Sequence, residues 1–131
     1  MGEKILVVDD EVSVRDMMSQ ALEEGGYGFL MADGAETALD LVDHEEVAVV
    51  FLDLKLFGMN GIELCKEIRK RTPLSILYAM TGWQGLFEVA ECREAGFDDY
   101  FTKPLMIDTI FRAIDEALEK RARWKRAYGR A

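Results

Sequence analysis

Apolar residues along this chain change their spacing repeatedly, and each change marks a new element. Lys4-Ile5-Leu6-Val7-Val8 is a short, nearly continuous apolar run rich in β-branched residues, the mark of a strand buried on both faces. From Val12 to Leu22 the positions Val14, Met17, Met18, Ala21 and Leu22 recur at helical spacing, and Gly25-Gly26 ends the stripe. Tyr27 to Met31 predicts a second, weaker strand; Ala35, Ala38, Leu39 and Val42 predict a second helix. Val47 to Leu52 is the strongest strand and stops at Asp53, before a loop at 54–60 that holds Gly58 and Asn60. Ile62, Leu64, Cys65 and Ile68 give a third helix, closed by Arg69-Lys70-Arg71 and Pro73. Leu74 to Met80 reads as a fourth strand, 85–95 as a fourth helix stopped by Gly96, and Asp99 to Thr102 as a short last strand. A long helix from Met106 to about Trp124 carries Ile107, Ile110, Phe111, Ile114 and Leu118 on one side.

Strand then helix, five times over, predicts a single α/β domain. Right-handed crossovers build a doubly wound, five-stranded parallel sheet of (βα)5 type, with helices on both faces and an extended C-terminal helix.

The 131 residues are 50% hydrophobic and 31% charged, which suits one packed domain and excludes a disordered chain. No run reaches the ~18–20 apolar residues of a membrane span. Only four apolar residues separate Lys4 from Asp9, too few for a secretory signal, so the expected location is cytoplasmic. Cys65 and Cys92 fit no metal or disulfide pattern and read as reduced thiols near a core. The net charge of −9 argues against direct nucleic-acid binding. That charge is uneven: residues 119–131 hold six basic residues and one acid, net +5, leaving −14 on the rest. The domain is therefore expected over 1–120. Residues 121–131 read as a basic helical extension or the start of a linker, with a basic contact surface as the alternative.

In an open α/β sheet, ligands bind beyond the carboxyl ends of the strands. Asp9, Asp10 and Glu11 follow the first strand, Asp53 ends the third, Thr81-Gly82 follow the fourth and Lys103-Pro104 the fifth. Each alone has a plain reading: an Asp pair caps a helix, and Lys-Pro makes a turn. Together they gather carboxylates, a hydroxyl and a lysine at one sheet edge. Crowded carboxylates need a counter-charge. A hard divalent cation with oxygen ligands, Mg²⁺ or Mn²⁺, supplies it. A lysine and a hydroxyl opposite suit a phosphoryl group. This is apparatus for phosphoryl transfer onto a carboxylate. His44, the sole histidine, lies in the polar stretch Asp43-His44-Glu45-Glu46 and reads as a solvated helix end. Gly25-Gly26-Tyr27-Gly28 reads as a helix-ending turn, not a phosphate loop.

The stretches Ile5–Glu11, Phe51–Leu54 with Gly58–Gly61, Thr81-Gly82 and Asp99–Pro104 resemble, in order and spacing, the receiver domain of two-component response regulators. The resemblance covers residues 4 to about 120 and implies the flavodoxin-like receiver topology. It implies Asp53 as phosphoacceptor, Asp10 as direct metal ligand and Asp9 as a ligand through water. It further implies a metal bond from the Lys55 carbonyl, Thr81 and Lys103 as phosphoryl-binding groups, and Thr81 with Tyr100 as the switch pair. The implied partners are a sensor histidine kinase or phosphotransfer protein upstream and an effector or output domain downstream. A homodimer through the fourth helix, last strand and last helix is also implied. The domain would catalyse only its own phosphorylation and dephosphorylation. Three features stand out against the usual pattern: Phe57 where Pro is common, Gly82 where Ala is common, and the pair Lys55 and Trp83 at two variable positions that tune phosphate loss. Rival readings are weaker. An aspartate-nucleophile phosphatase needs a second Asp where Lys55 stands, a binding module that keeps only the fold would not need the intact site, and a flavodoxin-like cofactor carrier lacks a phosphate loop.

Overall fold

The computed structural model describes residues 3–56, 60–82 and 86–129. The elements alternate throughout: β1 (Lys4–Val8), α1 (Val12–Glu24), β2 (Phe29–Ala32), α2 (Ala35–His44), β3 (Val47–Asp53), α3 (Gly61–Arg71), β4 (Ile76–Thr81), α4 (Leu86–Ala95), β5 (Asp99–Thr102) and α5 (Ile107–Gly129). The strands form one sheet in the order β2-β1-β3-β4-β5, every pairing parallel. The five-stranded, doubly wound architecture is the one the periodicity predicts.

Alternation within the strands divides the core into two layers, because successive strand side chains point to opposite faces. Leu6, Val8, Val50, Leu52, Leu77 and Ala79 face one way and pack with Ala38 and Val42 of α2, Leu64, Cys65 and Ile68 of α3, and Cys92 and Ala95 of α4. Ile5, Val7, Val49, Phe51, Tyr78 and Met80 face the other way, against Met18, Ala21 and Leu22 of α1 and Ile110, Ala113, Ile114 and Ala117 of α5. All seven residues of β3 are buried, as its place at the sheet centre requires. No helix among the described residues is long and apolar enough to cross a membrane.

Several boundaries differ from the sequence reading. β2 begins at Phe29, because Tyr27 leaves the sheet to lie against Phe111 with ring centroids 5.9 Å apart. β4 runs through Thr81, so this hydroxyl sits on the strand end itself. Ile107 is 45% exposed and stands outside the stripe expected to bury it. α5 continues to Gly129 and crosses residue 120 without a break. There Arg121 is buried and donates from Nη1 to Glu3 Oε2, with Glu46 Oε2 3.7 Å from Nη2. Arg69 is more than a helix-closing charge: it donates to Pro73 O, Ser75 O and Gly96 O and pairs with Asp98 at 3.0 Å.

Candidate functional site

The carboxyl ends of β1, β3, β4 and β5 converge. Asp9 follows β1 and is wholly buried; Asp53, the last residue of β3, is 5% exposed. Asp9 does not cap α1. Its Oδ1 accepts the Glu11 N–H at 2.9 Å, and the α1 cap position, Glu11, makes no side-chain cap bond. Asp9 Oδ2 is left facing Lys103.

Lys103, one residue beyond β5, reaches across this edge. Its Nζ lies 2.8 Å from Asp9 Oδ2, 3.2 Å from Asp53 Oδ2 and 3.5 Å from Glu11 Oε1. Burial opposes the ammonium charge, but the Asp9 and Asp53 carboxylates outweigh it and raise the lysine pKa. The Asp53 carboxyl is also raised. Burial is the main cause; the Lys55 N–H pulls it down, the Asp9 charge pushes it up, and Lys103 pulls down again. The Lys55 N–H donates to Asp53 Oδ1 at 3.1 Å, while the residue as a whole is exposed.

Local sequence explains why α3 starts against the end of β3. Asn60 Oδ1 accepts the Glu63 N–H at 2.9 Å and caps α3. Gly61 then lies so close to β3 that a Cβ there would come within 2.5 Å of Asp53 O and 2.6 Å of Leu54 Cα. The start of α3 thus clamps the strand end that carries Asp53.

Asp9, Asp10, Glu11 and Asp53 each offer a carboxylate oxygen within 4.8 Å of one another. Buried Asp9 Oδ2 lacks an aligned hydrogen-bond partner among the described residues, although Lys103 stands beside it. An all-oxygen donor set, with a buried oxygen that lacks an aligned donor and Lys103 as the facing ammonium among the described residues, fits a hard divalent cation. Glu11, read in the sequence as one of the acids after the first strand but given no role there, joins Asp9, Asp10 and Asp53 in this group.

Thr81 is buried, and its Oγ1 lies 3.4 Å from Glu88 Oε1 of α4. Tyr100 is half-buried against the α2–α3–α4 layer and pairs in register with Ala79, two residues before Thr81. Phe57 and Trp83 lie outside the described residues. Beside Lys103 a groove of about 370 Å³ is lined by Glu11, Ser13, Val14, Met17, Pro104 and Leu105. Near it the exposed side chains of Val12, Met106 and Ile107 form an apolar fringe, which periodicity cannot distinguish from core.

Comparison with known proteins agrees with this fold. The model of the response regulator receiver domain matches residues 5–115. Sporulation initiation phosphotransferase F of Bacillus subtilis is 35% identical over 118 residues, covering 90% of this chain and 95% of that protein. A cyclic di-GMP phosphodiesterase of Thermotoga maritima is 32% identical over 117 residues, but these cover 89% of this chain and only 31% of that protein. Among solved structures, a CheY-like receiver domain protein of Methanospirillum hungatei superposes with a TM-score of 0.89 at 29% identity, covering 94% of this chain and 98% of that one.

Proposed function

The chain belongs to the response regulator receiver domain family, whose members work in two-component signalling, and from that premise we propose that Asp53 is its phosphoacceptor. The observation that carries this reading is one buried carboxylate with three kinds of partner. Lys103 Nζ stands at 3.2 Å, the Lys55 N–H holds the other oxygen, and acids of the β1 end lie within metal-sharing distance.

In the proposed reaction an Asp53 carboxylate oxygen attacks phosphorus, the bond to the donor histidine nitrogen breaks, and the imidazole leaves with the electron pair. Lys103 balances charge on the phosphoryl oxygens, and the Lys55 N–H orients the attacking carboxylate. Asp10 and Asp53 would hold Mg²⁺ (or Mn²⁺) directly, with the Lys55 carbonyl and, through water, Asp9; bound there, the cation supplies positive charge for the transferring group. Thr81 then donates to a phosphoryl oxygen and Tyr100 turns behind it, altering the face of α4, β5 and α5. The chain acts on no substrate but its own aspartyl phosphate. The donor is a histidine kinase or phosphotransfer protein, for which the fringe of Val12, Met106 and Ile107 offers a docking surface, and the setting is cytoplasmic.

Incubation with acetyl phosphate and Mg²⁺ should add one phosphoryl group, read by intact mass. Asp53→Asn should remove it, and chelation should prevent it while leaving the circular dichroism spectrum unchanged. A full adduct on Asp53→Asn would refute the assignment.

A further inference from the structure

The 23 residues of α5 are segregated by charge. Residues 107–119 carry Asp108, Asp115, Glu116 and Glu119 against Arg112 alone, whereas 120–129 carry Lys120, Arg121, Arg123, Lys125 and Arg126 and no acid. The second half is held in line with the first. Arg121 falls on the inward stripe of Ile110, Ile114 and Ala117 and is buried like them, tied to Glu3 and Glu46. Lys120 pairs with Asp98 at 3.0 Å. Arg123 and Arg126 remain exposed, as do Asp115 and Glu119 in the first half.

The outer side of α5 bears a groove of about 620 Å³ whose lining, Arg112, Asp115, Glu116, Leu118, Glu119 and Ala122, comes entirely from this helix. Leu118 and Ala122 are half-buried in it. It is a helix face with room for the ridge of a second helix.

We propose that this face is a self-docking surface, on which a second copy of the chain lays its own α5 antiparallel. Reversing the direction sets the acidic half of one helix along the basic half of the other. Asp115 then meets Arg126, Glu119 meets Arg123, and Leu118 meets Ala122 near the two-fold axis. The axis repeats each pairing, so one complementary patch counts twice. A parallel arrangement would set the basic halves against each other and is repelled. Ala122, a small residue near the axis, permits close approach of the two helices. The surface runs from the α5 part of the α4–β5–α5 face that the family resemblance implies, where Glu119 and Arg123 line a pocket with Asp98 and Asp99, onto the outer side of α5, and it depends on residues beyond 120.

Exposed ion pairs are individually weak, and screening shortens from ~10 Å at 0.1 M salt to ~3 Å at 1 M. The association should therefore be modest in affinity and lost at high salt. Analytical ultracentrifugation of the whole chain, over a concentration series reaching millimolar, reads this directly. In low salt the mass should climb toward twice the monomer value, and in about 1 M salt it should stay at the monomer value. Two charge-reversed variants sharpen the test: Asp115→Lys with Glu119→Lys, and Arg123→Glu with Arg126→Glu. All four side chains are exposed, and circular dichroism checks that the fold persists. Each variant alone should remain monomeric, and an equal mixture should associate in low salt, because one carries basic side chains at all four pairing positions and the other acidic ones. A wild-type chain that stays monomeric, a dimer that both variants retain, or a mixture that fails to associate would each overturn the proposal.

Discussion

Asp53 concentrates the tension of the site in one residue. Burial raises its carboxyl pKa against the pull of Lys55 N–H and Lys103. The folded chain therefore holds that proton to higher pH than the unfolded chain does. By linkage, stability falls as pH rises from the ordinary carboxylate value through the raised one, and levels off above it. Asp53→Asn removes the charge and keeps the shape. In chelator-containing buffer at neutral pH it should be more stable than wild type by about 1–3 kcal/mol, the scale for a buried polar group whose partners do not fully offset its burial. The difference should shrink as pH falls through that window. Urea titrations across pH 4–8 measure both effects. Added Mg²⁺ should then stabilise the wild type by mass action and leave Asp53→Asn nearly unmoved. A variant less stable than wild type at neutral pH would mean that the Lys103 pair outweighs desolvation. Cys65 is a simpler case: burial is the main cause that pushes its thiol up to about 12, while Arg69 pulls down and Asp98 pushes up again, so it stays a neutral thiol in the core, as its sequence setting predicts.

At the scale of elements, the β3–α3 junction fixes where Asp53 points. Gly61→Ala would drive a methyl group into Asp53 O and Leu54 Cα, backbone atoms of a buried strand end that have nowhere to go. The expected cost is about 1–3 kcal/mol, as for other overpacked sites, read as a lower urea midpoint together with slower phosphorylation by acetyl phosphate. Unchanged stability would show that α3 shifts away freely. The same junction marks the limit of what the sequence reveals. Asp9, Asp10, Asp53, Thr81 and Lys103 are legible because alternating strands and helices put every strand end on one edge, whatever the loop details. The closeness of Gly61 to β3 is not legible, since it depends on the path of the loop and not on any period. The clasps of Arg69 on Asp98 and of Arg121 on Glu3 join residues far apart in sequence, and a basic residue near a helix end looks alike whether it caps, pairs or floats. Ile107 fits a helical stripe by spacing, yet it lies on the first turn of α5, where the sheet no longer covers it.

Across the whole molecule, the question is whether charge placed on Asp53 reaches the far face of α4 and β5. Thr81 stands between the two: it ends β4, lies beside β5 in register with Thr102, and its Oγ1 lies 3.4 Å from Glu88 Oε1 of α4. A phosphoryl oxygen on Asp53 would compete for this hydroxyl. A bond at 3.4 Å is long for a hydroxyl and a carboxylate, so this tie to α4 is a weak one. Drawing Thr81 inward would weaken the tie to α4 and open space on the side where Tyr100 packs against the α2–α3–α4 layer. A two-state element of this kind responds to a ligand only as far as the ligand favours one state. Backbone amide shifts recorded with and without beryllofluoride and Mg²⁺ should therefore change at two places. One is the set of residues that touch Asp53; the other runs from Thr81 along α4 to Ala95 and around Tyr100. Thr81→Ala should keep the first set and lose most of the second, since it removes the hydroxyl but not the acceptor. Changes confined to the neighbours of Asp53 in the wild type would mean that the sheet edge absorbs the charge locally, and that α4 and β5 do not carry the signal.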